Sequence, residues 1–68
     1  MMEMEQLQKR IDDSGPDGVL TAHIRYDYKP AGQMMINQLC KNGYVQRKTP
    51  AHSFDQEWRI FKKGNEPY

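Results

Sequence analysis

One cysteine, Cys40, is all the thiol this chain has. No disulfide can form within it, and a lone cysteine suits a reducing compartment better than an oxidising one. Long apolar runs are missing as well. The longest, Met34-Met35-Ile36, is three residues, too short for a membrane span or for the apolar stretch of an export signal. Glu3 and Glu5 near the start also carry the opposite charge to an export signal. These absences lead to the expectation of a soluble, cytoplasmic protein that does not enter a membrane.

The means of catalysis are equally sparse. Cys40, His23 and His52 are the only candidates for a nucleophile with a base, and no sequence signal sets a histidine beside the thiol. Zinc sites of the structural kind need four ligands in short paired spacings, and these three scattered residues do not provide them. Neither a phosphate-cradling glycine loop nor a repeated acid pair is present. The expectation is a protein that is not an enzyme and holds no cofactor or metal.

What is present is a short chain with an uneven charge. Its 68 residues suffice for one domain, which at this size buries only about 60% of the surface its unfolded form exposes. Residues 1–64 read as that domain and 65–68 as a flexible polar tail. Residues 1–22 carry five acids against two bases, a net −3, and residues 23–63 carry eight bases against three acids, a net +5. Glu66 brings the total to +1. A basic C-terminal two-thirds behind an acidic start is compatible with a small nucleic-acid binder, and equally with an ordinary solvated surface.

Met4, Leu7 and Ile11 recur on one helical face, and Ser14-Gly15-Pro16 ends that first helix. Asp17-Gly18 makes a turn, and Val19-Leu20 is expected to be a short edge strand. Thr21 is expected to cap a second helix over 22–26 with its hydroxyl. Lys29-Pro30 breaks that helix, and Pro30 suits the first turn of a third, which runs to about Asn42 before Gly43. Tyr44–Lys48 and Gln56–Phe61 read as two strands joined by a loop over 49–53. Trp58 and Ile60 share a strand face, and Trp58 is expected to anchor the core. The predicted class is α+β. Three helices and a small antiparallel sheet of two or three strands, with the last two strands paired beside a helix-turn-helix, give the winged helix-turn-helix architecture.

Particular residues strengthen this. Gly18-Val19-Leu20-Thr21-Ala22-His23-Ile24 resembles the G-x-x-T-x-x-I entry into helix two of many winged-helix regulators. The run from Ile36 through Leu39 and Gly43 to Val45 and Arg47 resembles their I-x-x-L-x-x-x-G-x-V-x-R passage from recognition helix to wing. Trp58-Arg59-Ile60-Phe61-Lys62 is similar to their returning strand. Among single-domain examples the chain most resembles the small pilus-operon transcription regulators of the FaeA/PapI type, over residues 18 to 64. The stretch from Thr21 to Ile36 is shorter than in that pattern, which implies a curtailed helix two or turn.

The resemblance implies a DNA-binding transcriptional regulator with helix three in the major groove and the hairpin as a basic wing. Gly32, Met35, Ile36 and Leu39 are expected to face the core, leaving Gln33, Met34, Asn37, Gln38 and Lys41 outward. Carboxamides can pair with adenine edges and Lys41 with a phosphate or guanine, or the same residues form a solvated helix face. Arg25, Tyr26 and Lys29 lie where related proteins touch the DNA backbone. Tyr26 and Tyr28 can donate to phosphates or bury their rings, and burial is the preferred reading. Arg47, Lys48 and His52 flank the wing loop, and Arg59 with Lys62 and Lys63 adds sequence-independent attraction. One copy reads few bases, so a homodimer or partner protein is expected to supply the rest of the specificity, with Met4, Leu7 and Ile11 shared between core and dimer interface. The alternative is a winged-helix adaptor that binds a protein rather than DNA, with Met34 on its docking surface.

Overall fold

The computed structural model describes residues 3–68; Met1 and Met2, counted in the domain above, lie outside the described residues. In chain order the elements are α1 (Glu3–Ser14), a 3-10 turn (Gly15–Asp17), β1 (Val19–Leu20), α2 (Thr21–Asp27), α3 (Gly32–Lys41), β2 (Tyr44–Lys48) and β3 (Trp58–Lys62). The protein is therefore α+β, with three α-helices and one antiparallel sheet of order β1-β3-β2. No helix among the described residues is long and apolar enough to cross a membrane.

The helices form where apolar spacing and local chemistry agree. In α1 the i, i+4 pair Leu7 and Ile11 is fully buried and Met4 packs beside it. Acidic Glu3 and Glu5 lie in the first turn, where the helix dipole favours them. At the other end the Ser14 hydroxyl donates to the Ile11 carbonyl at 2.6 Å, and Gly15-Pro16 turns the chain. In α3 Gly32, Met35, Ile36 and Leu39 are all buried, as the spacing predicts. The core joins these to Val19, Ile24 and Ile60, and each fully buried aliphatic contributes about 1.5–3 kcal/mol. Because Leu7 and Ile11 are wholly consumed by this core, they leave no surface for the dimer interface expected of them.

Several boundaries differ from the sequence reading. Helix three starts at Gly32 rather than Pro30, because residues 28–31 close a turn in which the Ala31 N–H donates to the Tyr28 carbonyl at 2.8 Å. Thr21 is not a cap. The cap position of α2 is Leu20 with no side-chain bond, since β1 runs straight into the helix. Thr21 instead turns inward, 2% exposed, and its hydroxyl donates to the Trp58 carbonyl at 3.4 Å. The last strand starts at Trp58 because Gln56 folds the loop instead, its carboxamide donating to the carbonyls of Pro50 and Ser53 at 2.8 and 3.1 Å.

Register assigns the sheet faces. Val19 and Gln46 both pair with Ile60, Lys48 with Trp58, and Tyr44 with Lys62. Side chains alternate along a strand, so these residues share the face that meets the helices. Val45, Arg47, Arg59 and Phe61 take the other. Phe61 is nonetheless fully buried, because Gly18 lies against its ring and Tyr68 meets it edge-on at 5.7 Å. The last residues, read as a flexible tail, thus fold back over the sheet, and Glu66 accepts the Gly64 N–H and lies 3.9 Å from Arg47.

Candidate nucleic-acid interface

The position of α3 depends on one close approach. A Cβ built on Gly32 would lie 2.6 Å from the Arg25 Cα and 2.7 Å from the Ile24 carbonyl oxygen. Only glycine lets the start of α3 press against the backbone of α2 like this. The crossing sets Arg25 beside the exposed face of α3, where the guanidinium donates to Gln33 Oε1 at 3.3 Å and Gln33 Nε2 donates to Asn37 Oδ1 at 3.1 Å. A cation and two carboxamides are thereby pre-oriented on the surface.

Two stripes run along the outer side of α3. Gln33, Asn37 and Cys40 face the hairpin, reaching it where Gln46 Nε2 lies 3.5 Å from Cys40 Sγ. Met34, Gln38 and Lys41, spaced at i, i+4 and i+7, form the outer ridge and are all exposed. Lys29 and Tyr26 extend this surface past the end of α2, with the Lys29 ammonium 4.7 Å from the Tyr26 ring centroid, a contact worth about 0.5–1 kcal/mol when exposed. Tyr26 is 72% exposed, against the preference for burial, whereas Tyr28 does pack on the core. Tyr26 lies on α2, whose inward positions are taken by Thr21 and Ile24, whereas Tyr28 follows the end of the helix at its C-cap.

The hairpin divides its basic residues between two faces. Lys48 is exposed on the helix-facing side, and His52 is exposed in the loop. Arg47 and Arg59 lie opposite each other on the far face. Arg59 is the one of these basic residues that pairs with a carboxylate next to it on its own side of the hairpin. It is held by Glu57 Oε1 at 3.1 Å and the Asp17 carbonyl at 2.9 Å, and with Arg10 and His23 it lines a separate depression beside Gly18. Its cationic neighbour Arg10 pairs with Asp27 at 3.0 Å, and that bond holds the guanidinium pKa above its usual value.

The sequence reading missed a concavity between the helices and the hairpin. Thr21, Arg25, Gln33, Gln46 and Trp58 line it, with a volume of about 330 Å³. Trp58 is 51% exposed there instead of anchoring the core. Ile60, two residues on, fills the space under the helices, and the core runs out before it reaches the end of the strand. No sequence signal marks this, because the sequence pattern starts the strand at Gln56 and so puts Trp58 inside it, whereas in the structure Trp58 opens the strand. The loop between β2 and β3 also presents Phe54 fully to solvent. Among the described residues no three His, Cys, Asp or Glu side chains gather as a metal site. No family model matches the chain, and no curated protein or solved structure does either.

Proposed function

We propose that this chain is a small DNA-binding transcriptional regulator of the winged helix-turn-helix type, related in kind to the FaeA/PapI regulators, that sets α3 in the major groove and uses the β2–β3 hairpin as its wing. The observation that carries this reading is the exposed string running from Arg25 on α2 to Gln33 and Asn37 on α3, flanked by Gln38 and Lys41 along the helix and by Lys29 and Lys48 at its margins. Carboxamides read base edges in the major groove, and the surrounding cations bind phosphates without regard to sequence. Arg47 and His52 serve the wing, while Arg59 stabilises the sheet.

A titration of isotope-labelled protein with a short duplex tests the proposal. Amides of Arg25, Lys29, Gln33, Asn37, Lys41 and the 47–59 hairpin are expected to shift at low salt, and the shifts to fade as salt rises. No shift at low salt refutes it. A second reading, a protein-binding adaptor of the same fold, is favoured by the exposure of Tyr26, Met34 at 67%, and Phe54. A partner protein retained at high salt by a chain that leaves duplex unshifted would select it.

A further inference from the structure

The concavity beside Trp58 has a lining that specifies a ligand. Its largest side chain is a half-exposed indole, the only tryptophan in the chain. Arg25 supplies a guanidinium to the lining, and Lys48, directly paired with Trp58 across the hairpin, is exposed on the same sheet face and brings a second cation. Gln33 and Gln46 supply two carboxamides, while Thr21 spends its hydroxyl on the Trp58 carbonyl. No carboxylate lines the site. A flat hydrophobic plate, two cations, two amides and no acid suit a planar aromatic ring bearing a negative charge. The volume of about 330 Å³ stands at the small end of ligand clefts, enough for one such group.

We infer that this concavity is a binding site for a single unpaired nucleotide, its base stacked on Trp58, its edge met by Gln33 and Gln46, and its phosphate held by Arg25 and Lys48. The inference extends the nucleic-acid reading above, with which it shares Arg25 and Gln33, but it needs an unpaired base where α3 needs a duplex. Stacking on an aromatic side chain tolerates any base because every base has a π-face. The amides add a preference among bases, and the cations make the binding salt-dependent. The unpaired nucleotide has two sources, a single strand or a free mononucleotide.

The full chain has a built-in reporter, because all its tryptophan fluorescence comes from the site. Titration with a ten-residue single-stranded oligonucleotide is expected to quench Trp58 and to shift the side-chain amide resonances of Gln33 and Gln46. Inorganic phosphate at matched concentration is expected to leave both unchanged, and phenyl phosphate, a ring and a phosphate with no base edge for the two amides, to give a much weaker response. A labelled strand read by anisotropy should bind Trp58→Ala about 10- to 100-fold more weakly, and Trp58→Phe should recover part of the loss. Trp58→Ala should leave duplex-induced shifts at Gln38 and Lys41 in place, so this site and the major-groove surface fail separately. Deoxythymidine monophosphate binding as tightly as the strand assigns the site to free nucleotides, and much weaker binding assigns it to single strands. Absence of quenching by both, or an equal response to phenyl phosphate, overturns the inference. If Trp58→Ala does not fold, Gln46→Leu replaces it, and unaltered strand affinity and base preference in that variant overturn the inference as well.

Discussion

Replacing Gly32 by alanine adds one methyl group at the point where α2 and α3 touch. That carbon would stand 2.6 Å from the Arg25 Cα and 2.7 Å from the Ile24 carbonyl oxygen, both backbone atoms that no rotamer change can move. Overpacking of this kind costs about 1–3 kcal/mol. Alanine recovers part of that, because it is up to about 1 kcal/mol better than glycine within a helix and less at the first helical residue. A net loss of about 1–2 kcal/mol is expected. Total stability for 68 residues is on the order of 3–10 kcal/mol, so the loss is a sizeable part of it. Each kcal/mol lowers Tm by roughly 4–8 °C in a domain this small. Thermal unfolding followed by circular dichroism should therefore show Gly32→Ala melting about 5–15 °C below the parent, while Gln38→Ala, on the exposed face of the same helix, should stay close to it. The pushed-apart helices should also separate Arg25 from Gln33 and, under the proposed function, weaken duplex binding more than the fall in stability explains. A Gly32→Ala protein as stable as the parent would refute the claim that this contact sets the helix crossing.

Three further outcomes follow from the packing and the charges. Gly18 has φ +67°, and a Cβ there would meet the Phe61 ring at 2.6 Å and the Ile60 carbonyl at 2.8 Å; strain and clash together should make Gly18→Ala lose about 2–4 kcal/mol in urea unfolding. Phe61→Ala should cost about 3–5 kcal/mol, as for a fully buried ring, whereas Trp58→Ala should cost less than half as much; equal losses would mean that Trp58 is a core residue after all. The Tyr44 phenol donates to Asp12 at 2.7 Å, and burial first and that bond second push its pKa from 10.0 up to about 12. Because the folded value is the higher, the stability from this contact is intact below pH 10 and is lost as pH rises through about 12. A phenolate absorbance titration should show one late tyrosine that disappears in Tyr44→Phe.

Much of the fold was legible because periodicity reports burial directly. The stripe Gly32, Met35, Ile36, Leu39 needs only a 3.6-residue repeat to be assigned inward, and the remaining residues of α3 then face out. The Gly18 turn and the Val19-Leu20 strand were legible for a similar reason, since glycine and a short apolar pair leave few alternatives between two helices. Capping failed at Thr21 because a hydroxyl's partner depends on what lies across from it, here the Trp58 carbonyl in a strand 37 residues away. Burial failed at Trp58 and Tyr26 because a small core has a limited volume, and hydrophobicity alone does not say which ring is left outside.

The candidate surface divides along the same line. Sequence by itself determined the α+β class, the order of the elements, the inward stripe of α3 and the list of cations and carboxamides available for recognition, because each of these depends on local spacing and residue chemistry. Only the tertiary structure decided which of them work together. Strand register put Arg59 and Arg47 on the far face, Glu57 and the Asp17 carbonyl engaged Arg59, and the Gly32 crossing joined Arg25 to Gln33. The same packing left Trp58 at the mouth of a concavity that no spacing in the sequence marks, because a cavity is the space that elements distant in the chain fail to fill.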